Sequence, residues 1–216
     1  MRYDDVLRRL EHLAAPLPGP AEILMPVLVG GRDLRPPRTP PAGRPGRPAA
    51  VLVLLYPDDD GLARVILTER ASRDGHHSGE VSFPGGKAEP GDSDPAATAL
   101  REAAEEIALD ADAAGVRVIG LLEPFWIPVS DFQVTPVIAV ADDRPAMTAS
   151  PDEVARIVEP PMARFLPDAP IDIIERLIGE WPLRYGAYAV DGLSVWGATA
   201  RILSQLGAVL ARSGRP

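Results

Sequence analysis

The chain has 216 residues, 46% of them hydrophobic, a formal net charge of −9 and no cysteine. That length suffices for one domain with a substantial core. The lack of cysteine excludes disulfides, thiolate metal sites and cysteine nucleophiles, and the acidic balance argues against nucleic acid as a partner.

No apolar run reaches the roughly 18–20 residues of a membrane span, and the N-terminus lacks a secretory apolar segment. A soluble, cytoplasmic protein with no membrane partner is therefore expected. Residues 3–14 place Val6, Leu7, Leu10 and Leu13 on one stripe and predict a short amphipathic helix. Ten prolines between Pro16 and Pro48 then predict an extended lead-in lying outside the catalytic core. Its aliphatic pieces, Ile23-Leu24-Met25 and Val27-Leu28-Val29, are expected against the core or a second subunit. The chain thus divides into a lead-in, 1–48, and a domain, 49–212.

Ala50 to Tyr56 is a continuous apolar run, and Ala63 to Thr68 follows an Asp-rich turn, which predicts a buried strand and its hairpin neighbour. Val116 to Leu122 and Phe132 to Val140 read as further strands, joined by a loop from Glu123 to Asp131 that carries Phe125 and Trp126. Strand-like Tyr185 to Val190 precedes a closing helix from about Val195 to Leu210. Strands interrupted by one helix and closed by another indicate an α/β arrangement with a mixed sheet.

The chemistry concentrates between the second and third of these strands. Gly85-Gly86-Lys87-Ala88-Glu89-Pro90-Gly91-Asp92 reads as a glycine turn feeding a helix that contains Arg101-Glu102-Ala103-Ala104-Glu105-Glu106-Ile107-Ala108-Leu109. At 3.6 residues per turn Glu102 stacks on Glu106, with Glu105 beside them, while Leu100, Ala103, Ala104 and Ile107 face away. Stacked like charges cost an isolated helix about 0.2–0.5 kcal/mol per pair. Two readings are open: a solvated face with Arg101 paired to Glu105, or a carboxylate set for a hard divalent cation. A bound cation reverses the local charge, so a polyanionic substrate is compatible with an acidic protein.

The extended pattern resembles the Nudix hydrolase box: glycine, five residues, glutamate, seven residues, then R-E-U-x-E-E-x-G-U, with U aliphatic. Gly86, Arg101, Glu102, Glu105, Glu106 and Leu109 match it. Asp92 stands for the first glutamate, eight residues separate it from Arg101, and Ala108 replaces a glycine. Alanine supports helix where glycine would end it. Upstream, Leu67-Thr68-Glu69-Arg70-Ala71 and Gly79-Glu80-Val81-Ser82-Phe83-Pro84-Gly85-Gly86 resemble the signature of the coenzyme A pyrophosphatase branch, L-T-x-R-[SA] and G-x-x-x-F-P-G-G. The aspartate and the one-residue shift are similar to that branch as well, and Trp196-Gly197-Ala198-Thr199-Ala200 resembles its C-terminal helix. Gly75 departs from a usually basic position, with Arg73 nearby.

The resemblance implies an α/β/α sandwich around a mixed sheet and a Mg²⁺- or Mn²⁺-dependent diphosphatase. The implied substrate is coenzyme A or an acyl derivative, cleaved to phosphopantetheine and adenosine 3′,5′-bisphosphate. Other nucleoside diphosphate derivatives (ADP-ribose, a dinucleotide, a nucleotide sugar) and a non-catalytic nucleotide-binding domain are the alternatives. Glu102, Glu106 and the Gly86 carbonyl are the implied metal ligands, Glu105 a further ligand or the base, and Arg101 the residue that holds a glutamate in register. Substrate contacts are implied for Arg70, Arg73, Phe83, Gly85 and Lys87, with Arg70 ahead of Arg73 as reader of a 3′-phosphate. Ser150-Pro151-Asp152-Glu153-Val154 reads first as a helix start and second as an acidic loop in which Glu153 is an additional acid. His76 and His77 are adjacent, point apart, and suit a loop near the substrate mouth. Phe125, Trp126 and Phe132 suit either the core or a surface that stacks adenine or lines a pantetheine channel. A small-molecule substrate is the expected partner, and a homodimer is an open expectation.

Overall fold

The computed structural model describes residues 1–11, 16–30, 37, 39–71, 80–178 and 181–212. In chain order its elements are α1 (Tyr3–Leu10), a 3-10 turn (Glu22–Leu24), β1 (Val27–Leu28), β2 (Arg47–Pro57), β3 (Ala63–Val65), β4 (Leu67–Arg70), β5 (Val81–Ser82) and β6 (Gly85–Lys87). After these come α2 (Pro95–Ile107), β7 (Arg117–Leu121), β8 (Phe125–Ile127), β9 (Phe132–Val140), β10 (Val154–Val158) and a second 3-10 turn (Met162–Phe165). The chain closes with β11 (Asp172–Ile178), β12 (Trp181–Val190), β13 (Leu193–Val195) and α3 (Gly197–Ala211).

The spine is the parallel pair of β2 and β9, in register from Arg47 opposite Phe132 to Leu55 opposite Val140. β3 and β6 join β2, and β7 and β8 join β9, all antiparallel, so the sheet is mixed. Both spine strands are covered on both faces, which is why they read as unbroken apolar runs. Leu52, Leu54, Tyr56, Val137 and Ala139 pack on one face against Ala99, Ala103 and Ile107 of α2. Val53, Leu55, Ile138 and Val140 pack on the other, in one cluster with Val6 and Leu10 of α1 and Leu203, Leu206 and Leu210 of α3. Each such aliphatic side chain contributes about 1.5–3 kcal/mol on leaving water. The layers are therefore helix, mixed sheet, helix, as the resemblance implies. Among the described residues no helix is long and apolar enough to cross a membrane.

Several local expectations change. The first helix ends at Leu10; Leu13 lies outside the described residues. Ala63 to Thr68 divides at Ile66: β3 stays on β2, whereas β4 leaves to pair with β10 and β5. The loop between β7 and β9 contains β8, which pairs with the start of β9. The strand expected at Tyr185 to Val190 is the second half of β12, which begins at Trp181 and forms a hairpin with β11; β1 adds to it through Val27 opposite Arg184 and Leu28 opposite Leu183. Part of the proline-rich lead-in is consequently packed. Leu24 is fully buried, and the Ala21 N–H donates to Ser204 Oγ at 2.9 Å. The lead-in's prolines confine the described part of the segment to a 3-10 turn and the two-residue β1, from which its aliphatic side chains dock on the core.

Ala108 does not prolong α2. It takes a left-handed conformation, φ 52 and ψ 35, and the helix stops at Ile107. The N–H groups of Thr148 and Ser150 cap the carbonyls of Ile107 and Glu106 at 2.9 and 2.8 Å, and buried Leu109 draws the chain back to the core. Left-handed backbone costs a non-glycine L-residue about 1–2 kcal/mol, part of which glycine returns as unfolded-chain entropy. Ala108 is exposed, so its methyl adds little packing. Ala108→Gly is therefore expected to stabilise the protein by about 0.5–1 kcal/mol in denaturant unfolding; a destabilised variant would refute this account of the helix end.

Candidate active site

The site is built where β6 passes beneath α2. Gly85 and Gly86, expected in a turn, form a short strand opposite Val51 and Ala50. Gly85 has φ 152, and a Cβ there would lie 2.4 Å from the Ala50 carbonyl oxygen and 2.6 Å from Val51 Cα. Only glycine permits that approach. At Gly86 a Cβ would lie 2.5–2.6 Å from the Glu102 carboxylate, which occupies the space a side chain would take.

α2 starts at Asp94, whose Oδ1 accepts the Ala97 N–H at 2.8 Å, with Pro95 in the first helical turn. The small Ala99 and Ala103 let the helix sit close on β2 and β9, which leaves Glu102 and Glu106 over the glycine strand. Arg101 fixes this arrangement. Its Nε donates to Asp92 Oδ1 at 3.0 Å, and one terminal nitrogen donates to Asp92 Oδ2 at 3.1 Å and to the Lys87 carbonyl at 3.0 Å. The same nitrogen lies 3.0 Å from Glu102 Oε1, while the other reaches Glu105 at 3.2 Å. Asp92 also accepts from the Glu89 N–H and the Thr98 hydroxyl, both at 2.9 Å. The Arg101 guanidinium, aided by these donors, holds the Asp92 carboxyl far below the usual carboxylate range.

Glu106 has the opposite environment. Burial pushes its carboxyl up to about 7, and the charges of Glu102 and Glu153 add to that shift, against the Gly85 N–H bond and Arg70. That N–H donates to Glu106 Oε2 at 3.2 Å. Burial also raises Glu102, with Arg101 opposing and Glu105 and Glu153 reinforcing. Glu153 reaches this group from a turn, not from the helix start expected at Ser150. The turn leads into β10, which pairs with β4, and the Glu153 carbonyl accepts the Ala71 N–H at 2.8 Å. Arg70, exposed at the end of β4, is a cation whose charge acts on Glu106.

Among the described residues no three carboxylate or histidine side chains are already gathered into a metal shell. Glu102 is turned to Arg101 and Glu106 to Gly85. The donors still fit a hard divalent cation. They are carboxylate oxygens, partly desolvated and mutually repelling, above a glycine whose missing side chain leaves room for them.

Other expected site residues fall elsewhere. Phe83 is buried at 2% exposure in the core on the α3 side, where its ring packs the interior. Lys87 supplies its carbonyl to Arg101, and its side chain is exposed. Arg73, Gly75, His76 and His77 lie outside the described residues. Phe125 is buried beneath the Arg201 guanidinium, Phe132 lies under Arg47, and Trp126 donates to Asp131 at 3.0 Å. These three belong to the sheet around β8 and β9. The tie of Ser150 to the end of α2, which brings Glu153 into the group, carries no sequence pattern of its own.

The family model for the NUDIX domain matches residues 46–172. Nudix hydrolase 22, chloroplastic, of Arabidopsis thaliana is 44% identical over 168 residues, 75% of this chain and 55% of that protein. The chain thus spans about half the length of that relative. The uncharacterized Nudix hydrolase NudL of Salmonella paratyphi B is 39% identical over 166 residues, 74% of this chain and 81% of that protein. A solved Nudix hydrolase from M. Smegmatis is 25% identical with a TM-score of 0.46, covering 64% of this chain and 80% of its own.

The perturbed Glu106 carboxyl has a consequence for the metal-free protein. Its pKa lies near 7 in the folded chain against an ordinary 4.5, so between those values the folded state holds a proton that the unfolded state has lost. Its favourable contribution is complete below about pH 4.5 and disappears as pH rises through about 7. In chelator, wild type is expected to lose stability relative to Glu106→Gln between about pH 5 and about pH 8. A flat or rising difference in unfolding midpoints contradicts the burial assigned to Glu106.

Proposed function

We propose that this chain, which belongs to the Nudix family, is a Mg²⁺- or Mn²⁺-dependent diphosphatase whose substrate is coenzyme A or an acyl-coenzyme A. The observation that carries the hydrolase reading is a pair of desolvated glutamates over Gly85 and Gly86: Glu102, held by the Arg101 fork, and Glu106, held by the Gly85 N–H. Glu102, Glu106 and the Gly86 carbonyl would hold the cation. When bound, it neutralises charge on the diphosphate and makes a water nucleophilic.

The remaining chemistry falls to the chain's own groups. Arg101 positions Glu102 and Glu105. Glu105 and Glu153 are both exposed; Glu105 is tied to Arg101 and acts on Glu102, whereas the charge of Glu153 acts on both Glu102 and Glu106. Glu153 is therefore our choice, ahead of Glu105, to take the proton from the attacking water. Arg70, which stands exposed beside Glu106 and makes no side-chain ion pair among the described residues, is free to meet a phosphate. That supports a 3′-phosphorylated nucleotide such as coenzyme A.

A substrate panel with product identification tests this function. With Mg²⁺ the full chain is expected to release phosphopantetheine and adenosine 3′,5′-bisphosphate from coenzyme A. Turnover of ADP-ribose with coenzyme A untouched would overturn the substrate, and no divalent-dependent cleavage of any nucleoside diphosphate derivative would overturn the enzyme. Glu106→Gln is expected to lose most turnover with the fold intact, because it removes the charge next to the cation. Arg70→Ala should lower kcat/KM on coenzyme A about tenfold more than on dephospho-coenzyme A, the loss of one charge-assisted bond to phosphate. Equal loss on both would exclude Arg70 as the 3′-phosphate reader.

A further inference from the structure

β11 is the outer strand of the sheet ordered β1, β12, β11, and among the described residues no strand pairs with its free edge. Ile173 is 51% exposed and Leu177 67%. Ile23, 53% exposed, lies beside Gly186, the residue opposite Ile173. An open edge strand is a template for another strand, and proteins usually shorten, cover or charge it; β11 carries three charges, Asp172, Glu175 and Arg176, among its seven residues.

The charges on this edge are arranged about one residue. Glu175 is engaged within the hairpin by Arg184 at 3.5 Å. Asp172 and Arg176, two positions either side of Ile174, make no ion pair among the described residues; the Arg176 guanidinium lies over the Trp196 and Tyr185 rings at 5.2 and 5.7 Å.

We propose that a second copy of this chain covers the edge, β11 pairing antiparallel with the partner's β11 about a twofold axis at Ile174. In that register Asp172 stands opposite the partner's Arg176, Arg176 opposite the partner's Asp172, Ile174 opposite the partner's Ile174, Leu177 opposite the partner's Ile171, and Ile173 opposite the partner's Glu175, whose charge is already engaged by Arg184 within its own hairpin. Opposite charges facing across a ladder stabilise it and like charges weaken it. An isologous contact requires a surface complementary to itself, and this spacing of charges supplies one. Registers one step away do not: centring on Glu175 sets two glutamates face to face, and centring on Ile173 leaves Arg176 opposite the partner's Pro170. A contact built mainly on one seven-residue strand per copy is smaller than the roughly 1,600 Å² of a standard interface, so a weak, concentration-dependent dimer is expected.

Sedimentation velocity on the full chain across a concentration series tests the pairing, with circular dichroism confirming the fold of each variant. Wild type should pass from monomer to dimer. Asp172→Arg and Arg176→Asp should each weaken association at least tenfold, and the double reversal D172R/R176D should restore it, because it re-creates the opposite-charge pairs. Both positions are exposed; Asp172→Arg leaves the core untouched, whereas Arg176→Asp also gives up the contact with the Trp196 and Tyr185 rings, so recovery of association in the double reversal is the outcome that isolates the charge pairs. A wild type monomeric at every concentration, a dimer indifferent to both single reversals, or a double variant that stays monomeric would overturn the proposal.

Discussion

One guanidinium holds the candidate site together. Arg101 bonds at once to the turn through Asp92, to β6 through the Lys87 carbonyl, and to Glu102 and Glu105 on its own helix. A planar fork with five donors can satisfy partners in several directions without changing shape, which a lysine ammonium cannot do. Without it, the acidic face of α2 would rest on mutual repulsion alone. The same contact explains the substitution of Asp92: both its oxygens are used, by Arg101, Glu89 and Thr98, so the turn closes around a shorter acid.

The rest of the fold delivers α2 to that position. Alternation along β2 and β9 divides the core into two clusters, one under α2 and one under α1 and α3. Alanines on the buried side of α2 bring the helix near the sheet, and glycines in β6 let the strand lie beneath the glutamates. A chain with a formal charge of −9 thereby concentrates partly desolvated carboxylates at one place. Removing carboxylates from water is unfavourable unless something compensates the charge. Arg101 opposes that cost at Glu102, yet burial leaves both Glu102 and Glu106 with raised pKa values.

Much of this was legible in the sequence because it rests on local pattern. β2 and β9 were visible as apolar runs, α2 as a helix with one oily and one acidic face, and α3 within a residue or two of its bounds. β6 was not legible, since two glycines have no strand preference and the pairing comes from the neighbouring edge of β2. Glu153 was read first as a helix start because Ser150-Pro151-Asp152-Glu153 has helix-start chemistry. The competing partner, the carboxyl end of α2, lies more than forty residues earlier in the chain. Phe83 sits in a motif that resembles a substrate-binding signature, yet burial gives it a packing role. Motif membership identified the segment, and the fold decided which of its atoms face the site.

The central claim is that Arg101 organises these carboxylates for a divalent cation. Manganese titration of the full chain at neutral pH, followed by electron paramagnetic resonance, tests it without depending on substrate. Wild type should show saturable binding, and Arg101→Lys, folded by circular dichroism, should bind roughly tenfold to a hundredfold more weakly, as loss of a residue that orients metal ligands predicts. Equal affinity in the two proteins, or no saturable binding in wild type, would contradict the account.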